Sequence, residues 1–414
     1  MPGLITERNF PTSWTIKRFK YCAQICNGGE YSDIEVEEGG YPVIGSGGEF
    51  ARASKFSYCG KSVLLGRKGT VDKPLFVDGA FWCVDTMFYT KIKDFMYEKY
   101  LYYCALCFPF DYYVTSTALP SMTQRDLGSQ EIAVPPKKEQ NAIADFLDKE
   151  CAKIDSIAAD LEKQVTLLQQ YKKSLITETV TKGLDKSVPM KDSGIEWIGK
   201  IPAHWDFKRL KFMLENSSDS MKVGPFGSAL SGSDFTDEGK WVYNQRVVLD
   251  NNFSENTTFV SEEKYQEMRS FAVYPGDILI TTRGTIGKVA IVPEGANEGI
   301  LHPCIIKFRV DKEMIIPELL QLIFNESDFV KDQFALMSNA TTIEVIYSYS
   351  LRDILLPVIP ADEQEKIYAY LSKKCMAIDG IIAEKQKAFT TITQHKKSLI
   401  YEYVTGKKRV KEVQ

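Results

Sequence analysis

Three histidines and nine cysteines are the residues of this 414-residue chain best suited to acid–base, nucleophilic or metal chemistry. Their spacing serves none of these reactions. His204, His302 and His395 are scattered, which leaves little for general-base work. Cys104 and Cys107 form a C-x-x-C, but no second C-x-x-C or nearby histidine completes a zinc site. Small buried hydrophobes are the better reading of both. No G-x-x-x-x-G-K-[ST] is present. Arg283-Gly-Thr-Ile-Gly-Lys288 is glycine-rich, but its spacing is wrong for a phosphate loop and no hydroxyl residue follows its lysine. G-x-S-x-G, H-E-x-x-H and G-x-G-x-x-G are absent, as are the Asn-Pro-Pro-aromatic and Asp-Pro-Pro-aromatic tetrapeptides of amino-methyltransferases. The chain reads as a binder and not an enzyme, with no catalytic, metal or cofactor residues of its own.

A binding surface needs a scaffold, and here the scaffold shows itself as an internal repeat. Pro11-Thr-Ser-Trp14-Thr-Ile-Lys17-Arg18-Phe-Lys20 returns as Pro202-Ala-His-Trp205-Asp-Phe-Lys208-Arg209-Leu-Lys211. Leu64-Leu65-Gly-Arg67-Lys68-Gly69-Thr70-Val-Asp72-Lys73 returns as Leu279-Ile280-Thr-Thr282-Arg283-Gly284-Thr285-Ile-Gly-Lys288, with the arginine moved by one place. Asp72 replaces the second glycine, which puts the local loop geometry of the first copy in doubt. Pro136-Lys-Lys-Glu139-Gln140 returns as Pro360-Ala-Asp-Glu363-Gln364 at an offset of 224, held through Lys172-Lys-Ser-Leu-Ile176 and Lys396-Lys-Ser-Leu-Ile400. A chance match of that length is negligible, so the protein is duplicated.

The third repeat is a heptad pattern. Leu147, Ile154, Leu161, Leu168 and Leu175 fall at sevens, and Leu371, Ile378, Lys385, Ile392 and Leu399 answer them. Ile143, Ile157 and Val165 are expected at the second seam position of the first copy, and Ile367, Ile382 and Phe389 at that of the second. Pro136 and Pro360 are placed to open helices. A helix of about 46 residues spans about 70 Å at 1.5 Å per residue. The order globule, rod, globule, rod predicts an antiparallel coiled coil with the globules at opposite ends and the C-terminus returning near the N-terminus. The expected domains are 1–136 and 185–360, which are α/β (α+β) globules, and the helices 137–184 and 361–409. Strands are expected at Ser62–Leu65, Phe76–Val77, Lys240–Tyr243, Asp277–Ile280 and Lys288–Val292, and helices at Tyr97–Phe108 and Pro317–Phe324.

Composition is that of a globular protein, with 44% hydrophobic and 26% charged residues, which excludes wholesale disorder. The longest apolar run, Tyr100–Phe110, is too short to cross a membrane. The N-terminus has no secretory pattern, so a cytoplasmic protein with reduced thiols is expected. A net charge of −4 shows no whole-chain basic footprint, so any nucleic-acid contact must come from local patches.

Four segments together carry a resemblance. Asp192-Ser-Gly-Ile-Glu-Trp-Ile-Gly-Lys-Ile-Pro-Ala-His-Trp205, Val223-Gly-Pro-Phe-Gly-Ser-Ala-Leu230, Val134-Pro-Pro-Lys-Lys-Glu-Gln140 and Val358-Ile-Pro-Ala-Asp-Glu-Gln-Glu365 resemble the specificity subunit of type I restriction–modification systems. The resemblance covers nearly the whole chain. It implies two target recognition domains, each reading half of a split double-stranded DNA target, and paired helices that set the spacer. It implies two modification subunits as partners, which carry S-adenosylmethionine and methylate adenines. Restriction subunits that use ATP to translocate and cleave are an optional addition. The competing reading is a coiled-coil scaffold or regulatory protein without sequence-specific DNA binding.

The duplication sorts the candidate DNA contacts. Residues shared by both copies should hold the fold or touch phosphate, whereas base readers should differ. By this rule Trp14 and Trp205 belong to the core, and Arg67, Lys68, Arg283 and Lys288 are candidates for phosphate contact or scaffold. The divergent stretches supply Ser46, Arg52, Lys55, Thr115, Ser116 and Gln124 in the first copy, and Asn244, Gln245 and Arg246 in the second. Arginine suits guanine, and asparagine or glutamine suits adenine.

Overall fold

The computed structural model describes residues 11–113, 120–226, 229–338 and 345–410. The chain divides into two compact units, Met1–Lys163 with Lys385–Gln414, and Gln164–Glu384. Each unit therefore takes a globule, part of the first long helix and part of the second.

In the first unit the central sheet runs in the order Ala23–Asn27, Met87–Ile92, Ser62–Gly66, Leu75–Val77 and is antiparallel. The apolar run Ser62–Gly66 is buried along its whole length, as an inner strand covered on both faces requires. Helix Glu98–Ala105 contributes Tyr100, Leu101 and Cys104 to the same core. A second sheet runs Gly48–Ala53, Tyr41–Gly45, Ala80–Cys83, Tyr58–Cys59, with one parallel pair at Tyr41–Gly45 and Ala80–Cys83. Strand Thr15–Arg18 pairs with Glu131–Val134, so the globule's entry is tied to the strand that leads into its long helix.

The second unit repeats this plan. Its central sheet runs Met221–Val223, Ile305–Phe308, Ile278–Thr281, Val289–Ile291. The other sheet has its single parallel pair at Lys240–Tyr243 and Gly299–Leu301. Asp206–Arg209 pairs with Leu355–Val358, as the entry strand of the first unit pairs with its own exit strand. The expected strands and the helix Pro317–Glu326 are all present, shifted by a residue or two at their ends.

Both long helices form as the heptads require. They span Lys137–Lys182 and Ala361–Val404, and Gly380 does not interrupt the second. The carbonyls of Pro136 and Pro360 accept from the backbone N–H groups of Glu139 and Gln140, and of Glu363 and Gln364. Gly183 and Gly406, both at positive φ, close the two C-termini. Within the first unit the helices run antiparallel. Glu139 meets Arg409, the Phe146 and Tyr403 rings lie 4.5 Å apart, and Asp155 accepts from Lys396 Nζ at 2.6 Å. Within the second, Asp379 accepts from Lys172 Nζ at 2.8 Å, while Ile176 and Val180 share a core with Ile367 and Leu371.

Leu147, Ile154, Leu371 and Ile378 are buried in this packing, while Leu161, Leu168, Leu175, Ile392 and Leu399 are half-buried. Ile157 departs from expectation, being 49% exposed. The second seam position instead runs by sevens from buried Cys151 through Ala158 and Val165 to Lys172. Ile157 therefore sits one residue off the seam, which is enough to turn it by about 100° on a helix.

The shared signatures now have a physical meaning. Trp14 and Trp205 are buried, and each donates its Nε1–H to the glutamate at the start of a long helix, Glu139 or Glu363, at 3.0 Å. Each indole also packs on a helix-ending glycine, Gly406 for Trp14 and Gly183 for Trp205. Gln140 donates to the carbonyls of Phe95 and Pro135 and accepts from Tyr97 N–H. Gln364 does the same with Met314, Ile359 and Ile316. Tryptophan, glutamate, glutamine and glycine thus lock the helix ends to each globule.

Candidate nucleic-acid interface

Backbone hydrogen bonds align the two globules loop by loop. Gly28 N–H donates to Met87 O, and Gly224 N–H to Ile305 O. Val84 N–H donates to Ile44 O, and His302 N–H to Tyr243 O. Arg67 N–H donates to Thr86 O, and Thr282 N–H to Cys304 O. Met122 N–H donates to Arg67 O, and Ile346 N–H to Thr282 O. Four loops in each globule therefore converge on the same strand ends, built in the same way.

This frame resolves the displaced arginine. Lys68 and Arg283 form matching backbone bridges, to Ser121 and Val345, and each precedes a glycine at positive φ, Gly69 or Gly284. Both side chains are exposed, so one cation is kept at one place while its type changes. Arg67 lies one residue earlier, where its guanidinium donates to Asp85 O at 3.3 Å and sits 5.8 Å from the centre of the Phe88 ring. Beyond the glycine the loops part. Gly287 holds φ of 76°, a conformation that its counterpart Asp72 does not adopt. Lys73 is consequently exposed, whereas Lys288 is half-buried and donates to Asn325 O at 2.7 Å. Burial pushes the Lys288 amine below its ordinary pKa.

In the second globule Gln245 donates to Thr285 O at 3.3 Å, which brings it onto the Arg283 loop. Arg246 is exposed beside Asp250. Asn244 has another task. Its Oδ1 caps helix Gln245–Asp250 by accepting from the N–H groups of Arg246 and Val247, and its Nδ2 donates to Thr258. His302 is largely buried, which lowers its pKa, and its Nδ1 accepts from Cys304 N–H at 3.2 Å.

In the first globule Ser46 stands at the turn after Tyr41–Gly45, the place that Gln245 takes in the second. Gln124 opens helix Gln124–Ser129 and donates to Asn27 at 2.9 Å, close to the Gly28 loop. Arg52 is held within its own hairpin by Gly39 O and Glu49, and Lys55 lies exposed in the bend beyond that strand. Thr115 and Ser116 lie outside the described residues. Burial raises the Cys107 thiol to about 12 and Cys104 well above its usual value, so both stay neutral and packed.

Two features of the interface were missed from sequence. One is the turn His302–Cys304, which joins the loops. The other is Phe226, whose signal was the glycine two residues before it. A Cβ on Gly224 would stand 2.2 Å from His302 O, and one on Gly28 1.9 Å from Val84 O, so only glycine lets these chains cross.

A family model described as the type I restriction modification DNA specificity domain matches residues 11–167 and 222–398. The chain is 25% identical over 302 residues to the type I restriction enzyme MjaVIII specificity subunit of Methanocaldococcus jannaschii, covering 72% of this chain and 66% of that one. It thus spans just under two thirds of that relative's length. It is 22% identical over 351 residues to the type I restriction enzyme EcoBI specificity subunit of Escherichia coli, covering 80% of this chain and 72% of that one. A chain from a solved structure on complex assembly and conformational transition of the type I R-M system superposes with a TM-score of 0.68 at 13% identity. That match covers 97% of this chain and all of the other, and it shows the fold.

Proposed function

This chain belongs to the family of type I restriction–modification specificity subunits, and from that premise we propose that it recognises a bipartite DNA target, one half-site per globule. The observation that carries this reading is that matching backbone bonds hold non-matching side chains. By those bonds Ser46 stands opposite Gln245, Lys68 opposite Arg283, Glu30 opposite Phe226 and Gln124 opposite Ser348. A frame repeated without its loop side chains is what two half-sites of different sequence require. The cation kept at Lys68 and Arg283 suits phosphate, which carries no sequence.

The chain supplies recognition and assembly in this reading. Adenine methylation belongs to modification subunits that carry S-adenosylmethionine, and ATP-driven cleavage to restriction subunits where they join. A chain with an internal repeat suits two copies of one partner. Ile157 and Ile381 occupy matching heptad positions and are 49% and 43% exposed, an apolar contact offered once in each repeat. They are candidate docking points for the modification subunits.

The test is a titration of labelled duplexes at several salt concentrations. Arg283→Ala should weaken binding to every sequence and flatten the salt slope by about one. Arg246→Ala should cost about 1–3 kcal/mol on the specific site and much less on random DNA. Equal loss on both duplexes would make Arg246 a phosphate contact, and no sequence preference in the assembled complex would leave the scaffold reading.

A further inference from the structure

We propose that the second globule unstacks the duplex it reads, with Phe226 as the wedge. The inference rests on the DNA-recognition reading above. Phe226 is 72% exposed, the most exposed aromatic side chain among the described residues. The chain leading into it is closely packed. Gly224 is pressed against the His302 carbonyl and Pro225 is buried, so the chain leaves the sheet there with the Phe226 ring exposed.

Its neighbourhood points to nucleic acid. Gly224 donates to Ile305 O while Thr282 donates to Cys304 O, so Phe226 and Arg283 issue from strands that flank one turn. Beyond Arg283, the bridge to Val345 leads to Tyr347 and Tyr349, whose rings stack at 5.4 Å and 8° and are both exposed. An exposed apolar ring has no use for phosphate but matches the faces of bases, and the guanidinium and stacked tyrosines leave the same end of the sheet. Apolar side chains inserted at a base step unstack it and bend the duplex, and the larger protein surface that the bent duplex meets offsets the cost. Phenylalanine has no hydrogen-bonding group and so reads deformability, not base edges. The first globule has no aromatic ring at the matching position. Glu30 stands at the matching position, with its carboxylate accepting from Tyr31 N–H at 3.0 Å and from the Ser32 hydroxyl at 2.8 Å. The distortion is therefore confined to one half-site.

The experiment uses the complex assembled with its modification subunits and a duplex carrying the target mapped by methylation. 2-Aminopurine replaces the bases of each half-site in turn. The methylated adenine itself is left in place, because base flipping for methylation would brighten that position independently. Binding should raise the fluorescence at one step of the second half-site. The rise should be lost in Phe226→Ala, kept in Phe226→Leu and absent from the first half-site throughout. Both variants change an exposed side chain, and unchanged melting would confirm that they fold. If the complex binds its target and no step brightens, or the rise survives Phe226→Ala, the wedge is overturned and the recognition reading stands. If the complex prefers no sequence, the recognition reading fails and takes the wedge with it.

Discussion

Gly224 carries a hydrogen where any other residue would aim a methyl group at the His302 carbonyl. Two loops of the interface depend on that crossing. Gly224→Ala should destabilise the second globule by about 1–3 kcal/mol, the usual cost of forcing atoms into packed space. Urea denaturation of the variant would check it, and a midpoint equal to wild type would mean that the loops are not held there. Much else at this scale was legible. The burial of Trp14 and Trp205 followed from their recurrence in both copies, and the thiols of Cys104 and Cys107 are neutral and packed as their sequence context implied. Partners were not legible. Asn244 and Lys288 have the residue types of DNA contacts, but the first spends its amide on a helix cap and the second its amine on Asn325. Residue type gives a side chain's capacity, and only the fold shows where that capacity is used.

The long helices show the same division at the level of elements. Spacing by sevens showed that both helices exist, because a rigid helical repeat leaves its period in the sequence, and Pro136 and Pro360 marked where they begin, while the second ends at Val404, short of the expected 409. It misplaced Ile157, since a run of apolar residues offers neighbouring phases and only the packing selects one. It was also silent on Lys172, a charged group at a seam position with its side chain 10% exposed. Burial disfavours that charge, but hydrogen bonds from Lys172 to Asp379 and Glu326 outweigh the effect and raise its pKa. The repeat supplies the mirror pair, Lys396 with Asp155, in the first unit. Lys172→Met should cost about 1.5–3 kcal/mol, the range for hydrogen bonds to charged groups. Lys396→Met, whose lysine is more exposed, should cost less than about 1 kcal/mol. Thermal denaturation of the two variants would separate them, and equal effects would contradict the burial argument. Ile157→Glu and Ile381→Glu leave the seam untouched, so each should lower the number of modification subunits bound without changing the melting of the chain. Native mass spectrometry would count them, and two bound subunits on the double variant would rule out these residues as docking points.

At the scale of the whole molecule the duplication is the governing fact. One frame occurs twice, with the same central sheet order, the same parallel strand pair in a second sheet that gains the strand Phe235–Thr236 in the second copy, the same tryptophan–glutamate lock and the same crossing glycine. The repeat was readable in sequence wherever it fixes structure. It faded in the loops, where Asp72 aligns with Gly287 and Glu30 with Phe226, as two half-sites of different sequence would require. That contrast is what one scaffold carrying two separate readings of DNA requires. The most direct test is to map methylated positions in DNA treated with this chain, its modification subunits and S-adenosylmethionine. A split motif with one methyladenine in each half, on opposite strands, is expected. A single continuous motif, or methylation without any motif from a well-formed complex, would contradict it.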